Sequence, residues 1–481
     1  MKHFTFLFVL LLCTVSMNAA EIFRQDSIYE RVYQNLLTGA PNVNDPSSGS
    51  DLNIMGDESD ANFVRQLFNF EELTSDEAYC HWSDTYLQEA NNNLVSTGNP
   101  QLYGLWLRIY KGIDLCNYFL EQTASLTDAT TITQRASVRV MRAFYYSYAL
   151  SLFGNPPLTT STSDKGKQVG REGLFNFLID ELKDAEPSVP DAQAFTSADA
   201  SYGHVTKGVA WMLMARLYLN AEVYTGTPHW EDAAAYAKKI IDSGAYQLSM
   251  TAVNGWSGYQ QLFMGDNGES AAAKEMILPI YVDGAGANSW SALFFLAAMS
   301  NGLEYIHPDE ETMGIGASQT WAGYSSRKPL IDRFLPNANL PEVHAYAMPE
   351  KAGDDRAIIE NYPTKYDDSY KTEFGLSPYL TKYNNFHSDG TAAHGTTFAD
   401  TDLPLMRYAE ALMTYAEAEF RLGNTAVALE YINMVRSRSH AAKLTSLTLK
   451  DIEDEWSREF YYEGRRRTDM IRFNTLTGKS F

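Results

Sequence analysis

The segment Leu403 to Ser439, LPLMRYAEALMTYAEAEFRLGNTAVALEYINMVRSRS, leaves this chain few folds to choose from. It reads as a helix, a tight turn at Gly423 and Asn424, and a second helix whose Ala428, Ile432 and Val435 share one face. Ala409, Ala411, Ala416 and Ala418 keep the first helix slim, so a neighbour can approach closely, as stacked tetratricopeptide-like pairs require. Lys207 to Gly244 repeats the plan. There Ala233, Ala237, Ile240 and Ile241 make one apolar stripe, and Gly244 stands where a helix stops. Ile452 to Phe473, IEDEWSREFYYEGRRRTDMIRF, adds further helical character. The expected architecture is mainly α, built on helical hairpins.

The rest of the chain divides around these units. One helix near Ile28 to Leu37 is expected in an otherwise loop-like start. Helical patterns follow at Asn62 to Asn69, Thr74 to Leu94, Gln101 to Ser125, Thr133 to Phe153 and Gly173 to Ala185. From Gly244 to about Thr401 the sequence turns Gly-, Ser-, Asn- and aromatic-rich, with isolated apolar runs such as Met276 to Tyr281. A helical frame over about 21–244 and 402–481 is therefore expected to carry a loop-rich subdomain over about 245–401. Loops held on a rigid frame are where binding groups concentrate.

The net charge of −22 and the lack of a clustered Lys/Arg face argue against nucleic acid as a partner. Arg465 to Arg467, set among Glu459, Glu463 and Asp469, reads as an internal ion-pair network. No nucleophile elbow, zinc-binding helix pair, phosphate loop or paired-cysteine spacing occurs, so neither a cofactor nor a metal is expected. Asp51 to Asn62 begins like a calcium loop, but Met55 sits at a ligand position and Asn62 replaces the closing glutamate. A glycosidase needs two carboxylates across a cleft, and no stretch singles out such a pair. Cys116 falls on the stripe Leu102, Trp106, Ile109, Ile113, Cys116, Leu120, which favours a buried thiol over a bridge to Cys80.

Aromatic content is 13%, with 30 Tyr, 24 Phe and 8 Trp, more than a core alone requires. A sugar ring offers an apolar C–H face and a rim of hydroxyls, so Trp and Tyr stack on the face while amides and carboxylates bond the rim. Tyr79, His81 and Trp82 follow Ser75, Asp76 and Glu77; Asn288 precedes Trp290; Trp321 and Tyr324 lie in a Gly/Ser-rich stretch. Each tryptophan also has a plainer reading, Trp82 facing the core from a helix, Trp290 anchoring one, Trp321 pinning a loop. Trp106, Trp211, Trp230 and Trp456 lie within helical patterns and read as core.

RAFYYSYALSLFGNPPL at Arg142 to Leu158, YGHVTKGVAWMLMARLYL at Tyr202 to Leu219, SRKPLIDRF at Ser326 to Phe334 and the REFYYEGRRRTDMIRF ending resemble the SusD/RagB outer-membrane glycan-binding proteins of Bacteroidetes. That resemblance covers most of Asp76 to Phe473. It implies a right-handed superhelical frame of tetratricopeptide-like hairpins with a loop-rich insertion. It also implies a non-catalytic protein that captures oligosaccharide or polysaccharide and delivers it, as a lid, to a SusC-like TonB-dependent transporter. The ligand site it suggests comprises Trp82, Trp290, Trp321 and Tyr324, with Asp76, Asn288 and Arg356 as polar partners. The other readings kept open are an exported helical glycoside hydrolase and a tetratricopeptide-like adaptor that binds proteins.

Residues 1–20 read as an export signal: Lys2 and His3, an apolar run from Phe4 to Val15, then small residues near Ala20. At the outer membrane the resemblance implies a lipid anchor on a cysteine just after this run. Cys13 instead lies inside the run behind Leu12. An unanchored secreted protein, a divergent lipobox at Cys13 and an altered start all fit. The resemblance further implies a loop-rich segment past Arg472, whereas the sequence stops at Phe481.

Overall fold

The computed structural model describes residues 25–37, 54–55, 58–286, 295–299, 315–321, 323–336, 340–361 and 378–477. Helix α1 spans residues 25–37, and α2 spans Phe63–Glu71, capped by the Asn62 side chain, which accepts from Arg65 N at 2.9 Å. That cap is the role Asn62 plays at the end of the calcium-loop-like stretch, whose start lies outside the described residues. A short strand β1 (Ala78–Cys80) and helix α3 (Thr85–Asn91) come next. The single helix expected over Thr74 to Leu94 is therefore corrected. Residues 78–80 gain more from a ladder with a distant strand than from local helical bonding, and Asp84 starts a new helix.

Two long helices follow, α4 (Pro100–Gln122) and α5 (Ala129–Phe153), packed against each other. Asn99 caps α4 with Pro100 at its first position, where the missing N–H costs nothing. Gly112 permits the close α4–α5 approach, since a Cβ there would lie 2.4 Å from the Tyr145 ring. A small hairpin, β2 (Pro157–Leu158) and β3 (Lys167–Gln168), precedes α6 (Arg171–Ala185). Helices α7 (Lys207–Leu219), α8 (Ala221–Thr225) and α9 (Trp230–Asp242) complete this half.

Short elements dominate the middle of the chain: β4 (Met276–Ile280), a turn α10 at residues 295–298, β5 (Tyr324–Ser326), α11 (Lys328–Phe334), α12 (Met348–Ala352), β6 (Ile359–Glu360) and β7 (Tyr379–Leu380). Strand β8 (Leu403–Arg407) pairs antiparallel with β4 and leads into α13 (Tyr408–Arg421). Helix α14 (Thr425–Arg438) returns along α13 after Gly423, and α15 (Leu449–Phe460) and α16 (Arg466–Arg472) close the fold. Ala409, Ala411, Ala416 and Ala418 are all fully buried, and α13 packs on both α9 and α14, which is what small side chains on that helix allow. The fold is mainly helical. Among the described residues no helix is long and apolar enough to cross a membrane. Cys80 and Cys116 are buried free thiols.

Charged groups inside the frame form linked ion pairs. Glu459 sits among three guanidinium groups, with Arg407 at 2.6 Å, Arg356 at 3.1 Å and Arg438 also paired to it. Arg438 and Arg407 also reach Glu275, at 2.9 and 3.1 Å. From the basic run, Arg465 pairs with Glu410 and Asp469, both at 2.9 Å, and Arg466 with Asp76 at 2.7 Å. Burial alone would raise the Glu459 carboxyl, but Arg438, Arg407 and Arg356 hold it at about 2. An unpaired charge in this environment would be strongly destabilising, so the partners must arrive together. Trp456 is sealed inside this frame, Trp211 and Trp230 are half-buried against it, and Trp106 is half-buried with its ring edge-on to Phe153.

Candidate functional site

Strand β1 pairs antiparallel with β5, setting Ala78 opposite Ser326 and Cys80 opposite Tyr324. The ladder runs on for one more bond, His81 N to Gly323 O at 2.7 Å. Successive side chains on a strand point to opposite faces, so Cys80 and Trp82 leave one face while Tyr79 and His81 leave the other. Trp82 thereby comes against Trp321 and Tyr324, which arrive from a segment far along the chain. The two indoles lie 6.4 Å apart, centroid to centroid, at 48° to each other. Trp82 Nε1 donates to the Trp321 carbonyl at 3.4 Å, and Trp321 Nε1 to Gln319 Oε1 at 3.1 Å.

Both indoles are half-buried. Tyr324 stands beneath them, fully buried, its ring edge-on to Trp82 at 5.3 Å and its hydroxyl donating to Asn69 Oδ1 at 2.8 Å. It positions Trp82 and presents no surface of its own, which corrects its expected role as a stacking residue. Asp76 and Arg356 are corrected as well. Asp76 lies buried between Arg333 and Arg466, and although burial alone would raise its carboxyl, those two cations hold it well below the usual range. Arg356 is fully buried and bonded to Asp354, Glu455 and Glu459. Neither has a free group to bond a sugar rim. Asn288 and Trp290 lie outside the described residues.

Positioning groups that single-residue reasoning missed surround the indoles. Gln88 Nε2 donates to the Trp82 carbonyl at 2.7 Å, and Asn91 clamps Cys80 through both backbone groups at 2.9 and 2.8 Å. Arg327 ties β5 to the Ala78 and Asn91 carbonyls at 2.7 and 2.8 Å. Gly323 lies flat beneath Trp82, and its N–H bonds Ala298 O at 2.9 Å. A glycine between aromatic residues, as in WAGYS, was the available signal for that contact. His81 Nε2 lies 2.7 Å from Ser325 Oγ, and burial lowers its pKa.

Two other places hold polar groups. A cavity of about 80 Å³ inside the frame is lined by Glu71, Tyr148, Arg216, Glu410, Arg465 and Asp469, none of them part of the aromatic group. Burial pushes Glu71 up to about 7. In the loop-rich region Asp283, His394 and Asp400 bring ligand atoms within 4.8 Å of one another and could hold a divalent cation. Asp400 is already engaged there by the Gly284 and His394 N–H groups, each at 2.8 Å, and by His387 Nε2 at 3.1 Å.

A family profile described as the SusD family (SusD_RagB) matches residues 318–480. The starch-binding protein SusD of Bacteroides thetaiotaomicron is 32% identical over 466 residues, covering 88% of this chain and 80% of that one. The chain belongs to the SusD family. A more distant SusD relative, the SusD-like protein P38 of Formosa agariphila, is 24% identical over 416 residues, covering 80% of this chain and 74% of its own. Among solved structures, surface glycan-binding protein A of Bacteroides thetaiotaomicron in complex with laminarihexaose superposes with a TM-score of 0.66 at 21% identity, covering 95% of this chain and 92% of that one. A SusD superfamily protein of Parabacteroides distasonis gives 0.67 at 18% identity, covering 94% and 88%. At such identities these two establish the SusD fold and nothing finer.

Proposed function

We propose that this SusD-family protein captures glycan chains at the cell surface on the Trp82–Trp321 platform and passes them, without chemistry, to a SusC-like TonB-dependent transporter in the outer membrane. The pair of half-buried indoles, tilted at 48° at the end of one ribbon, is the observation that carries this reading. Two rings tilted at 48° cannot both stack on one flat run of sugars, so the pair suits a curved or twisted chain better than a flat one. Capture there exchanges ordered water for stacking and a few hydrogen bonds, so affinity per sugar is modest and longer chains gain by offering several registers. The relatives' names, a starch-binding protein and a protein crystallised with laminarihexaose, agree with the ligand class. Trp290 and Asn288 remain candidate contributors.

A hydrolase reading finds less support. The carboxylates beside the aromatic group, Asp76 and Glu77, are buried and bonded to Arg466 and Ser457, not poised across an open cleft. Affinity gels and calorimetry against a panel of plant, host and microbial glycans test the proposal. Trp82→Ala and Trp321→Ala should each fold like the parent and weaken binding by about 0.5–1.5 kcal/mol or more. If both variants bind as the parent does, the platform is not the site; release of reducing sugar by purified protein would favour the hydrolase.

A further inference from the structure

From α3 to the start of α4, which follow Trp82 in the chain, three large apolar side chains stand out in water. Tyr86, Leu94 and Tyr103 are 43%, 74% and 57% exposed. Leu94 is displayed by backbone design. Helix α3 ends in a Schellman motif: Leu94 N donates to Glu89 O at 2.8 Å, Asn93 N donates to Ala90 O at 3.1 Å, and Asn93 takes the left-handed conformation at φ 52°. In such a motif the residue at Leu94's position normally packs on the one at Glu89's. Here Glu89 is instead bonded to Ser96 and Asn99, so Leu94 has no apolar neighbour from its own motif.

The backbones of Tyr86 and Tyr103 are both bonded to one residue, Asn99. Asn99 Nδ2 donates to the Tyr86 carbonyl at 3.2 Å, while Asn99 caps α4 and its carbonyl accepts from Tyr103 N at 3.1 Å. Tyr103 is thus a single helical turn, about 5.4 Å of rise, beyond the group that touches Tyr86. Helix α3, which carries Tyr86, is also tied to the platform, since its Gln88 bonds the Trp82 carbonyl. The surroundings of the patch are rich in hydroxyls and amides, with the exposed Asp84 and the Ser96- and Asn99-bonded Glu89 among them. Ser83, Thr85, Asn92, Ser96 and Thr97 are all exposed, and Arg467 at the edge donates to Asn93. Phenol rings among hydroxyls and amides match a hydrated polymer of C–H faces and hydroxyl rims, whereas a protein interface would gather its apolar groups into a dry centre.

We propose that Tyr86, Leu94 and Tyr103 form a second carbohydrate contact, which engages the same glycan chain beyond the Trp82–Trp321 platform and makes the protein selective for extended polymer over short oligomers. This rests on the glycan-capture reading above. A chain anchored at the indoles presents its outer sugars to the patch at high local concentration, so even a weak second contact raises the affinity of chains long enough to span both.

The test is calorimetry with two length series, maltose to maltoheptaose and laminaribiose to laminarihexaose, together with affinity gels of soluble starch and laminarin. The parent is compared with Tyr86→Ser/Tyr103→Ser, Leu94→Ser and Trp82→Ala. The patch side chains are exposed, so these variants should keep the parent's circular dichroism and melting temperature. The tyrosine pair should lower affinity about tenfold for the longest chains and polymers and by less than about twofold for disaccharides. Trp82→Ala should weaken every length. Unchanged affinity at all lengths overturns the second contact, and so does an equal loss at every length, which would mean damage relayed to Trp82. Sedimentation showing that the parent self-associates through these tyrosines also overturns it. If Trp82→Ala loses binding while the patch variants do not, only this inference falls; if the parent binds none of the probes, glycan capture of this class falls with it.

Discussion

Replacing Gly323 by alanine probes the platform without touching either indole. A Cβ built there lies 2.3 Å from Cζ2 and 2.4 Å from Cε2 of Trp82. Non-bonded carbons settle at about 3.5–4.0 Å, so the ring must retreat by ~1.2 Å or more. The backbone cannot give way instead, because Gly323 donates to Ala298 at 2.9 Å and accepts from His81 at 2.7 Å. Overpacking of this kind costs about 1–3 kcal/mol. At about 2.1 cal/mol/K per residue, 481 residues carry an unfolding entropy of about 1 kcal/mol/K, so Tm should drop by about 1–3 °C. Loss of one stacking ring is worth about 0.5–1.5 kcal/mol, or roughly two- to twelvefold in Kd. Thermal melts and calorimetry on Gly323→Ala, Trp82→Ala and the double variant read both effects. With the indole gone the clash has no object, so the Tm penalty of Gly323→Ala should vanish in the Trp82→Ala background. An equal penalty in both backgrounds, or full affinity in Gly323→Ala, refutes the argument.

Gly173, whose Cβ would meet nothing within 4 Å, is the matched control: Gly173→Ala should be neutral or stabilise by up to about 1 kcal/mol, checked by chemical denaturation. Glu459→Leu should destabilise by about 3–5 kcal/mol in urea melts, because Arg356, Arg407 and Arg438 lose a shared partner. In the folded protein that carboxyl titrates at about 2, below its unfolded value near 4.5, so its contribution is present above pH ~4.5 and lost as pH falls toward 2; Glu459→Gln should flatten that acid limb. Asp402 runs the other way. Burial raises it to about 8, so stability should fall as pH rises from ~4 to ~8, by up to ~1.4 kcal/mol per pH unit. Asp402→Asn keeps an acceptor for Val282 N and a partner for Tyr202, and its stability should vary less across that range.

The frame was legible because its signal is local. Alanines at helical spacing along residues 409–418 and the stop at Gly423 need no distant partner to be read, and the structure buries those alanines between α9 and α14. Strand β1 was not legible. Three residues carry no usable period, and their ladder partner, Ser326 opposite Ala78, lies in another part of the chain. Trp82 and Trp321 stood out as large aromatics in polar, glycine-bearing surroundings, and the ribbon brings those two together. Asp76 and Arg356 show the opposite limit. A carboxylate beside aromatics looks the same in sequence whether it will bond a sugar or a buried arginine, and only the arrival of Arg333 and Arg466 decides.

The bond from Asp76 to Arg466 spans 390 positions, and Glu71 meets Thr468 across 397. The polypeptide is therefore clasped shut by its own late-made portion. Until residues 459–472 emerge, the carboxylates at 71–77 have Arg333 but lack Arg466 and the Thr468 donors, and the early helices cannot reach their final packing. Long-range closure of this sort slows maturation. It also means that a lesion in α15 or α16 reaches Asp76 and Glu77, just ahead of the strand that leads to Trp82, so loss of capture after such a change need not mean that the altered residue ever touched a sugar.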